Sequence, residues 1–365
     1  MPYNYSTDLM RKIFFIINFL FLNCILSQAQ TGGNNTYEFL NLSTSARVAA
    51  MGGNILSVRD NDLNLAIQNP AVMDSTMSKA LVLNYVPYFA DIKYGYVAYA
   101  QDYKNIGTFS AGIHYVDYGT FMSADNTGYR DETTFGASEY SFNLAYAREV
   151  YTRVRTGITL KTIYSSLEQF TSFGLAADLG IIYNNVNNNF GIAVTIKNIG
   201  AQLTTYIPGN NEPIPFEIQL GTSYRLPKAP LRLSLTLQHL EKPDLTYINT
   251  NTNNQTDPIT GEVTEQKISL FEKIARHAII GGEILITQNF NLRVGYNYMR
   301  RKDLSIDTHT GTSGFSGGFG FRISKFHFSY GRAVYHLAGG SNLFSITTNI
   351  GAFRKKVVTD SREEN

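Results

Sequence analysis

The sequence is poor in cysteine, tryptophan and charge. Its 365 residues contain no tryptophan and one cysteine, Cys24. Because Cys24 lies in a segment that we expect to be removed on export, the mature chain would have no disulfide, no thiol chemistry and no cysteine zinc site. Charged residues make up 16% of the chain, below the roughly 25% of typical soluble domains. The net charge of +2 indicates neither a nucleic-acid partner nor a polybasic membrane-binding segment.

Long apolar runs are equally scarce. One run, residues 13–27, follows two basic residues and ends in the small-residue pattern Ser27-Gln28-Ala29. It is too short to span a bilayer as a helix. We therefore predict a secretory signal peptide, residues 1–29. A lipid anchor at Cys24 is the less favoured alternative, because the three residues before it include no small side chain.

From residue 79 to residue 353 the chain consists of about fourteen strand-like segments, of roughly 9–12 residues each, linked by polar connections. Short and long connections alternate along the chain. The short ones include 102–105, 149–153, 185–189, 287–289 and 324–325, and the long ones include 118–138, 199–215, 241–277 and 301–314. Transmembrane β-barrels have short periplasmic turns and longer extracellular loops. We predict an all-β fold, a transmembrane antiparallel β-barrel of about 14 strands.

Within the segments, apolar and polar residues alternate with a period of two. In 231–240 the leucines share one face, and Arg232, Ser234 and Thr236 share the other. A soluble β-sandwich alternates too, but its strands are shorter, about 5–6 residues. Its dry core would also not tolerate cations in the middle of strands. The cations that we predict to be luminal are Arg155, Lys161, Arg232 and Arg293. Tyrosines near segment ends, Tyr94 among them, are expected to form interfacial girdles.

Residues 30–78 do not alternate and are rich in small residues around 47–53. A barrel of about fourteen strands is wider than its side chains can fill, so we predict that this segment plugs the lumen as a hatch. The charged tail, residues 354–365, is expected to be disordered or periplasmic.

Two sets of motifs resemble known families. Residues 46–53, followed by Asp60, Asp62 and Asn69-Pro70-Ala71, resemble the N-terminal hatch of FadL-type outer-membrane barrels. The hatch motif comprises Arg47, Met51, Gly52, Gly53, Asn69, Pro70 and Ala71. The second set resembles the PorQ family of the type IX secretion system, which is related to PorV; its runs are 271–277, 294–297, 300–304, 314–320 and 330–336.

The resemblance to the PorQ family implies a fourteen-stranded barrel in the outer membrane of a Bacteroidetes-type bacterium. It implies an attachment complex with PorU, PorV and PorZ, in which PorU carries the sortase chemistry. A chain of this family would hold PorZ at the surface while cargo is processed and joined to an anionic lipopolysaccharide. One departure concerns the C-terminus: many barrels end at an aromatic residue, whereas twelve residues follow Phe353 here. This puts the usual terminal assembly signal in doubt, although an internal Phe353 could still close the last strand.

The sequence contains no enzyme signature. Its six histidines have no metal-ligand spacing, and it has no nucleophile elbow. Asp60-Asn61-Asp62 could begin a calcium loop, but a turn is the favoured interpretation because the rest of such a loop is missing. We predict a non-enzymatic protein without a cofactor.

The loop 241–277 is the candidate recognition surface, since it is far too long for a simple connection. Apolar residues recur at helical spacing near its end, and they either bind a partner or pack a short helix onto the rim. These residues are Ile268, Leu270, Phe271 and Ile274. Two rival functions remain. A FadL-like transporter of hydrophobic small molecules would need an apolar pocket and an opening in the wall. A general porin would need a lumen without a hatch.

Overall fold

The structure of this chain is a computed structural model. It describes residues 35–124, 130–246, 254–256, 263–265, 269–304, 312–336 and 339–353. The predicted signal peptide, the beginning of the hatch segment at 30–34, Ile268 and the tail 354–365 lie outside the described residues.

Fourteen of the strands that the structure describes close into one antiparallel barrel. Each barrel strand pairs with the next one along the chain, and the last pairs with the first. The barrel strands are β1 (Ala80–Pro87), β2 (Lys93–Tyr103), β3 (Gly107–Ala124), β4 (Arg130–Tyr151), β5 (Val154–Leu167), β6 (Phe170–Asn184), β7 (Phe190–Thr204), β8 (Glu217–Arg225), β9 (Leu231–Leu237), β12 (Ala278–Ile284), β13 (Phe290–Asn297), β14 (Phe315–Ile323), β15 (Phe326–His336) and β16 (Gly339–Asn349). A separate hairpin, β10 (Asn254–Thr256) and β11 (Val263–Glu265), lies between β9 and β12 in sequence. The predicted 14-stranded antiparallel barrel is confirmed.

The barrel wall is polar on the inside and apolar on the outside, the reverse of a soluble protein. On β5, Arg155, Thr159 and Lys161 are buried, whereas Leu160 is exposed. On β6, Asp178 is buried while leucines and isoleucines on the other face are exposed. Barrels that contact lipid have this arrangement. Among the described residues, no helix is long and apolar enough to span a bilayer.

The connections between strands differ in length at the two ends of the barrel. One end, the turn end, has the connections 104–106, 152–153, 185–189, 226–230, 285–289 and 324–325. The opposite end, the loop end, has the longer connections 205–216, 238–277 and 298–314, but also short ones such as 168–169. Strand lengths vary more than expected, from 7 residues in β9 to 22 in β4.

The predicted long loop 118–138 is wrong. Most of it continues the β3–β4 ladder, which extends to the pair Ala124 and Arg130. The rings of Phe121 and Phe135 stack across the two strands at 5.4 Å. Polar residues in this stretch suggested a loop, but a strand that projects beyond its neighbours can be polar on both faces.

Two other expectations also fail at strand ends. Tyr94 is buried inside the barrel rather than in a girdle, and its ring packs edge-on against Tyr88 with centroids 6.0 Å apart. Phe353 is not part of the last strand, which ends at Asn349; it lies in the 3-10 helix Ile350–Phe353.

The hatch, Asn35–Ser78 as far as it is described, lies inside the barrel. Its helix α1 (Ala46–Ala50) contacts β13 to β16, and its 3-10 helix Pro70–Val72 contacts β4 to β6 on the other side of the lumen. The short helices begin at polar caps: the side chains of Ser45, Asp62 and Asn69 each accept a hydrogen bond from the backbone two or three residues later. The buried apolar residues form clusters between the hatch and the wall.

Candidate functional site

The hatch meets the wall through a buried charged cluster near the turn end. Glu283 on β12 has only 1% of its surface exposed. Its carboxylate accepts hydrogen bonds from Arg47 of the hatch at 2.9 Å, from Arg232 at 2.8 Å and from Arg293 at 2.9 Å. Asp60 and Asp62 of the hatch complete the ion pairs of Arg47. We call these residues the charged cluster: Arg47, Asp60, Asp62, Arg232, Glu283 and Arg293.

The sheet register places the wall part of this cluster. Glu283 lies directly opposite Arg232 on β9 and directly opposite Arg293 on β13. Three charges of alternating sign thus form one row across three strands. Three arginines face three carboxylates, and a buried charge is tolerated only when it is paired and hydrogen-bonded in this way. The sequence prediction included both wall arginines but missed Glu283.

The other two predicted luminal cations are buried as well. Lys161 donates to Asp178 and to the side-chain oxygen of Asn198, both at 2.7 Å. Asn198 lies at a positive φ of 56° where the β6–β7 register shifts, and its N–H donates to Asp178. Arg155 donates to the Met73 carbonyl oxygen of the hatch at 2.6 Å. Lys161 therefore stabilises an irregularity in the wall, and Arg155 holds the hatch.

The remaining hatch-motif residues either hold the hatch together or lie against the wall. Asn69 donates to the Leu56 carbonyl at 2.8 Å and accepts from the Ala71 N–H at 3.0 Å. Met51 is fully buried, and Pro70 and Ala71 are buried beside β5. Gly52 and Gly53 have φ of 100° and 110°, a region that favours glycine.

Inward-facing wall glycines allow this approach. A Cβ at Gly157 would lie 2.5 Å from the backbone nitrogen of Ala71. A Cβ at Gly295 would overlap the backbone of Met51 and Gly52. Glycine in a strand often marks a site where another backbone comes close, and here that backbone is the hatch.

The recess at the turn end is lined mainly by polar side chains, whereas the recess at the loop end is lined by polar and apolar side chains. At the loop end, a cavity of about 290 Å³ lies between the hatch and residues that include Lys197, Glu217 and His239. At the turn end, a cavity of about 560 Å³ borders the charged cluster. The turn-end lining does not offer the continuous apolar surface that a hydrophobic ligand needs, whereas the loop-end lining includes Leu42, Met299 and Leu304.

Two short helices pack together at the loop end. Helix α2 (Leu270–His277) begins at Ser269, and helix α3 (Tyr298–Asp303) begins at Asn297. Ion pairs join them: Lys302 to Glu272 at 3.2 Å, and Arg276 to Asp303 at 3.5 Å. The predicted recognition residues of α2 are exposed to solvent, with 73% of Leu270, 76% of Phe271 and 58% of Ile274 accessible.

The described residues show no metal centre. Among them, no three His, Cys, Asp or Glu side chains are placed to bind a metal ion together. Asp60 accepts from the Asp62 N–H, and Asp62 accepts from the Asn64 N–H. These are hydrogen bonds of turns and caps, and the same carboxylates bind Arg47.

Comparison with known proteins finds similarity only at the level of solved structures. No protein-family model and no curated protein matches this sequence. The toluene transporter TodX of Pseudomonas putida is 12% identical, with a TM-score of 0.49, 84% of this chain covered and 99% of TodX. The CymD monoaromatic hydrocarbon channel is 11% identical, with a TM-score of 0.48 and coverage of 84% and 96%. A FadL homologue of Pseudomonas aeruginosa is 13% identical, with a TM-score of 0.45 and coverage of 84% and 98%.

Proposed function

We propose that this chain is a plugged, non-enzymatic outer-membrane barrel that holds a partner protein at the cell surface. The observation that carries the proposal is the lumen, which the hatch fills and in which the charged cluster and Arg155 bind the hatch to the wall. A filled lumen leaves the loop end as the surface that can bind a partner protein outside the cell. The apolar outer face of the wall supports a location in the outer membrane.

The identity that we propose for the partner rests on the resemblance to the PorQ family. The partner would be of the PorZ type, in the attachment complex of the type IX secretion system together with PorU and PorV. The chain would then act in a Bacteroidetes-type bacterium and keep secreted cargo at the surface for processing.

Helix α2 supports a protein partner. Its exposed face carries Phe271 together with Leu270 and Ile274. Aromatic and aliphatic anchors dominate the energetics of protein interfaces. The helix is well fixed, because Lys273 binds Asp244 at 2.6 Å. Burial raises the pKa of the Asp244 carboxyl, but hydrogen bonds from Lys273 and Thr246 outweigh this and lower the pKa to about 2. The Asp244 carboxylate therefore stays ionised at neutral pH.

Transport of hydrophobic small molecules is the second candidate. The observation that favours it is the irregularity at Asn198 between β6 and β7, because an opening in a barrel wall needs a break in the ladder. The charges of Lys197 and Glu217 in the loop-end recess are unfavourable to it, since an apolar ligand there would remove water from both.

The partner proposal predicts a loss of binding when the α2 face becomes polar. We expect the double substitution Phe271→Ser and Ile274→Ser to reduce recovery of a PorZ-type partner at least about tenfold in pull-downs from native outer membranes, because two interface anchors are lost. Ile207→Ser is the matched control, because Ile207 is also 58% exposed at the loop end. Full partner recovery with the double variant would contradict the proposal. Loss of uptake of a hydrophobic compound on deletion of the chain, with the partner still at the surface, would favour transport.

Orientation is tested separately. The mature chain would have no cysteine, so a single introduced cysteine can report the side of the membrane. We expect Asn211→Cys, in the loop 205–216, to react with a membrane-impermeant maleimide on intact cells. Asn187→Cys, in the turn 185–189, should react only after the cells are opened. The reverse pattern would contradict an extracellular loop end.

A further inference from the structure

The recess of about 560 Å³ at the turn end has an excess of positive charge. It borders the charged cluster, in which three arginines and three carboxylates balance, and two further arginines, Arg225 and Arg322. Both are exposed at the ends of their strands. Within the part of the chain that the structure describes, neither has a hydrogen-bonded or ion-paired side-chain partner. The lining thus has a net charge of +2 when His327 is neutral.

The arrangement of these arginines is unfavourable without an anion. Arg225 on β8 lies directly opposite Arg232 on β9. Like charges in directly opposite positions of a sheet destabilise the pair. Arg232 makes its bonds with Asp60 and Glu283 through one nitrogen, Nη1, which leaves its other N–H groups for a further acceptor.

Unused donors also lie deeper in the recess. Arg47 is almost completely buried and contacts three carboxylates through its Nη atoms, but its buried Nε has no hydrogen-bond acceptor among the described residues. A buried donor without an acceptor costs free energy. The Nε atom itself is closed off from solvent, so an anion in the recess would reach it only after neighbouring side chains shift.

We propose that this recess binds a small molecule bearing phosphate or carboxylate groups from the turn-end side of the barrel. Guanidinium groups match such oxyanions through paired N–H donors, and these hydrogen bonds are stronger than neutral ones. The volume lies within the usual range of small-molecule pockets, about 300–1,000 Å³. The site does not depend on a surface partner or on transport of a hydrophobic compound, since it lies at the opposite end of the lumen from the loops.

The test uses the purified full-length barrel in detergent at low ionic strength, with inorganic pyrophosphate and citrate as separate probes in calorimetric titrations. We expect saturable binding of at least one probe. The double variant Arg225→Gln and Arg322→Gln should weaken that binding about tenfold or more, because two charged hydrogen-bond donors are lost. Heat-modifiable migration on gels checks that the variant is folded.

The control is Lys228→Gln and Lys325→Gln, which removes two exposed cations from the neighbouring turns without touching the lining. It changes the net charge by the same amount, and affinity should stay within about twofold, as expected for screened surface charges. Two results would overturn the proposal: no saturable binding of either probe by the unmodified protein, or equal weakening in the arginine and lysine variants. Preference for pyrophosphate or for citrate then distinguishes a phosphate from a carboxylate ligand.

Discussion

Replacing Glu283 with alanine is expected to destabilise the plugged barrel by about 3–5 kcal/mol, the cost of removing one partner from a buried ion network. Glu283 alone contacts all three arginines of the charged cluster. Without it, the bond to Ser329 is the one that Arg293 keeps among the described residues. Asp60 and Asp62 still pair with Arg47, and Asp60 still pairs with Arg232.

The measurement is urea unfolding of the barrel in lipid vesicles, followed by circular dichroism and gel migration. Glu149→Ala is the control, since Glu149 is half exposed and lies 3.7 Å from Arg155; its loss should cost less than about 1 kcal/mol. Adding Arg293→Met to Glu283→Ala should recover part of the stability, because it removes a charge that has lost its partner. Equal midpoints for the two single variants would show that the cluster does not stabilise the fold.

Gly295→Leu is expected to displace the hatch from the lumen. The new side chain would point inward, where its first carbon overlaps the backbone of Met51 and Gly52. Overpacking of a core costs about 1–3 kcal/mol, and more when backbone rather than a side chain must move. The strain can be relieved only by movement of the hatch or of β13.

Two readouts follow from that movement. Trypsin should cleave the hatch at Arg47 or Arg59 in the variant, and the barrel should conduct ions in planar bilayers. Gly282→Leu is the matched control: its Cβ would have ordinary contacts with Val294 and Leu233 and would leave the hatch undisturbed. A closed, trypsin-resistant Gly295→Leu barrel would be evidence that Met51 and Gly52 do not approach the wall as closely as described.

The barrel can be predicted from the sequence because the alternation of apolar and polar residues is visible within each strand. The cations Arg155, Lys161, Arg232 and Arg293 are all on the buried face that the alternation predicts, although Arg155 and Arg232 lie at the second position of their strands and not in the middle. Their partners were not predicted, because Glu283 is 51 residues from Arg232 and 236 from Arg47. Buried cations need a counter-charge, and this requirement would have identified Glu283, because the alternation in β12 places Glu283 on the inward face.

Strand length was the least predictable feature. Composition cannot distinguish a polar loop from a polar hairpin that continues a ladder beyond its neighbours, so 118–138 was misassigned. The predicted girdle position of Tyr94 is wrong for a related reason. Tyrosine is suited both to a membrane interface and to the packed space between hatch and wall. The exposure of Phe271 could not be inferred either, because helical spacing predicts an apolar face but not what covers it.

The uneven strand lengths give the wall an uneven height. Strands of 7 residues such as β9 and β12 rise about 18 Å at the usual tilt, whereas the apolar band of an outer-membrane barrel is about 25 Å tall. The strands β3 and β4, with 18 and 22 residues, exceed that height. In a bilayer this hydrophobic mismatch has to be absorbed by thinner lipid beside β9 and β12 or by a tilt of the whole barrel. Where the lipid thins and the barrel does not tilt, the bilayer is thinner on the side of β9 and β12, and a neighbouring barrel with a similarly short side would share the thinned region at lower cost than bulk lipid.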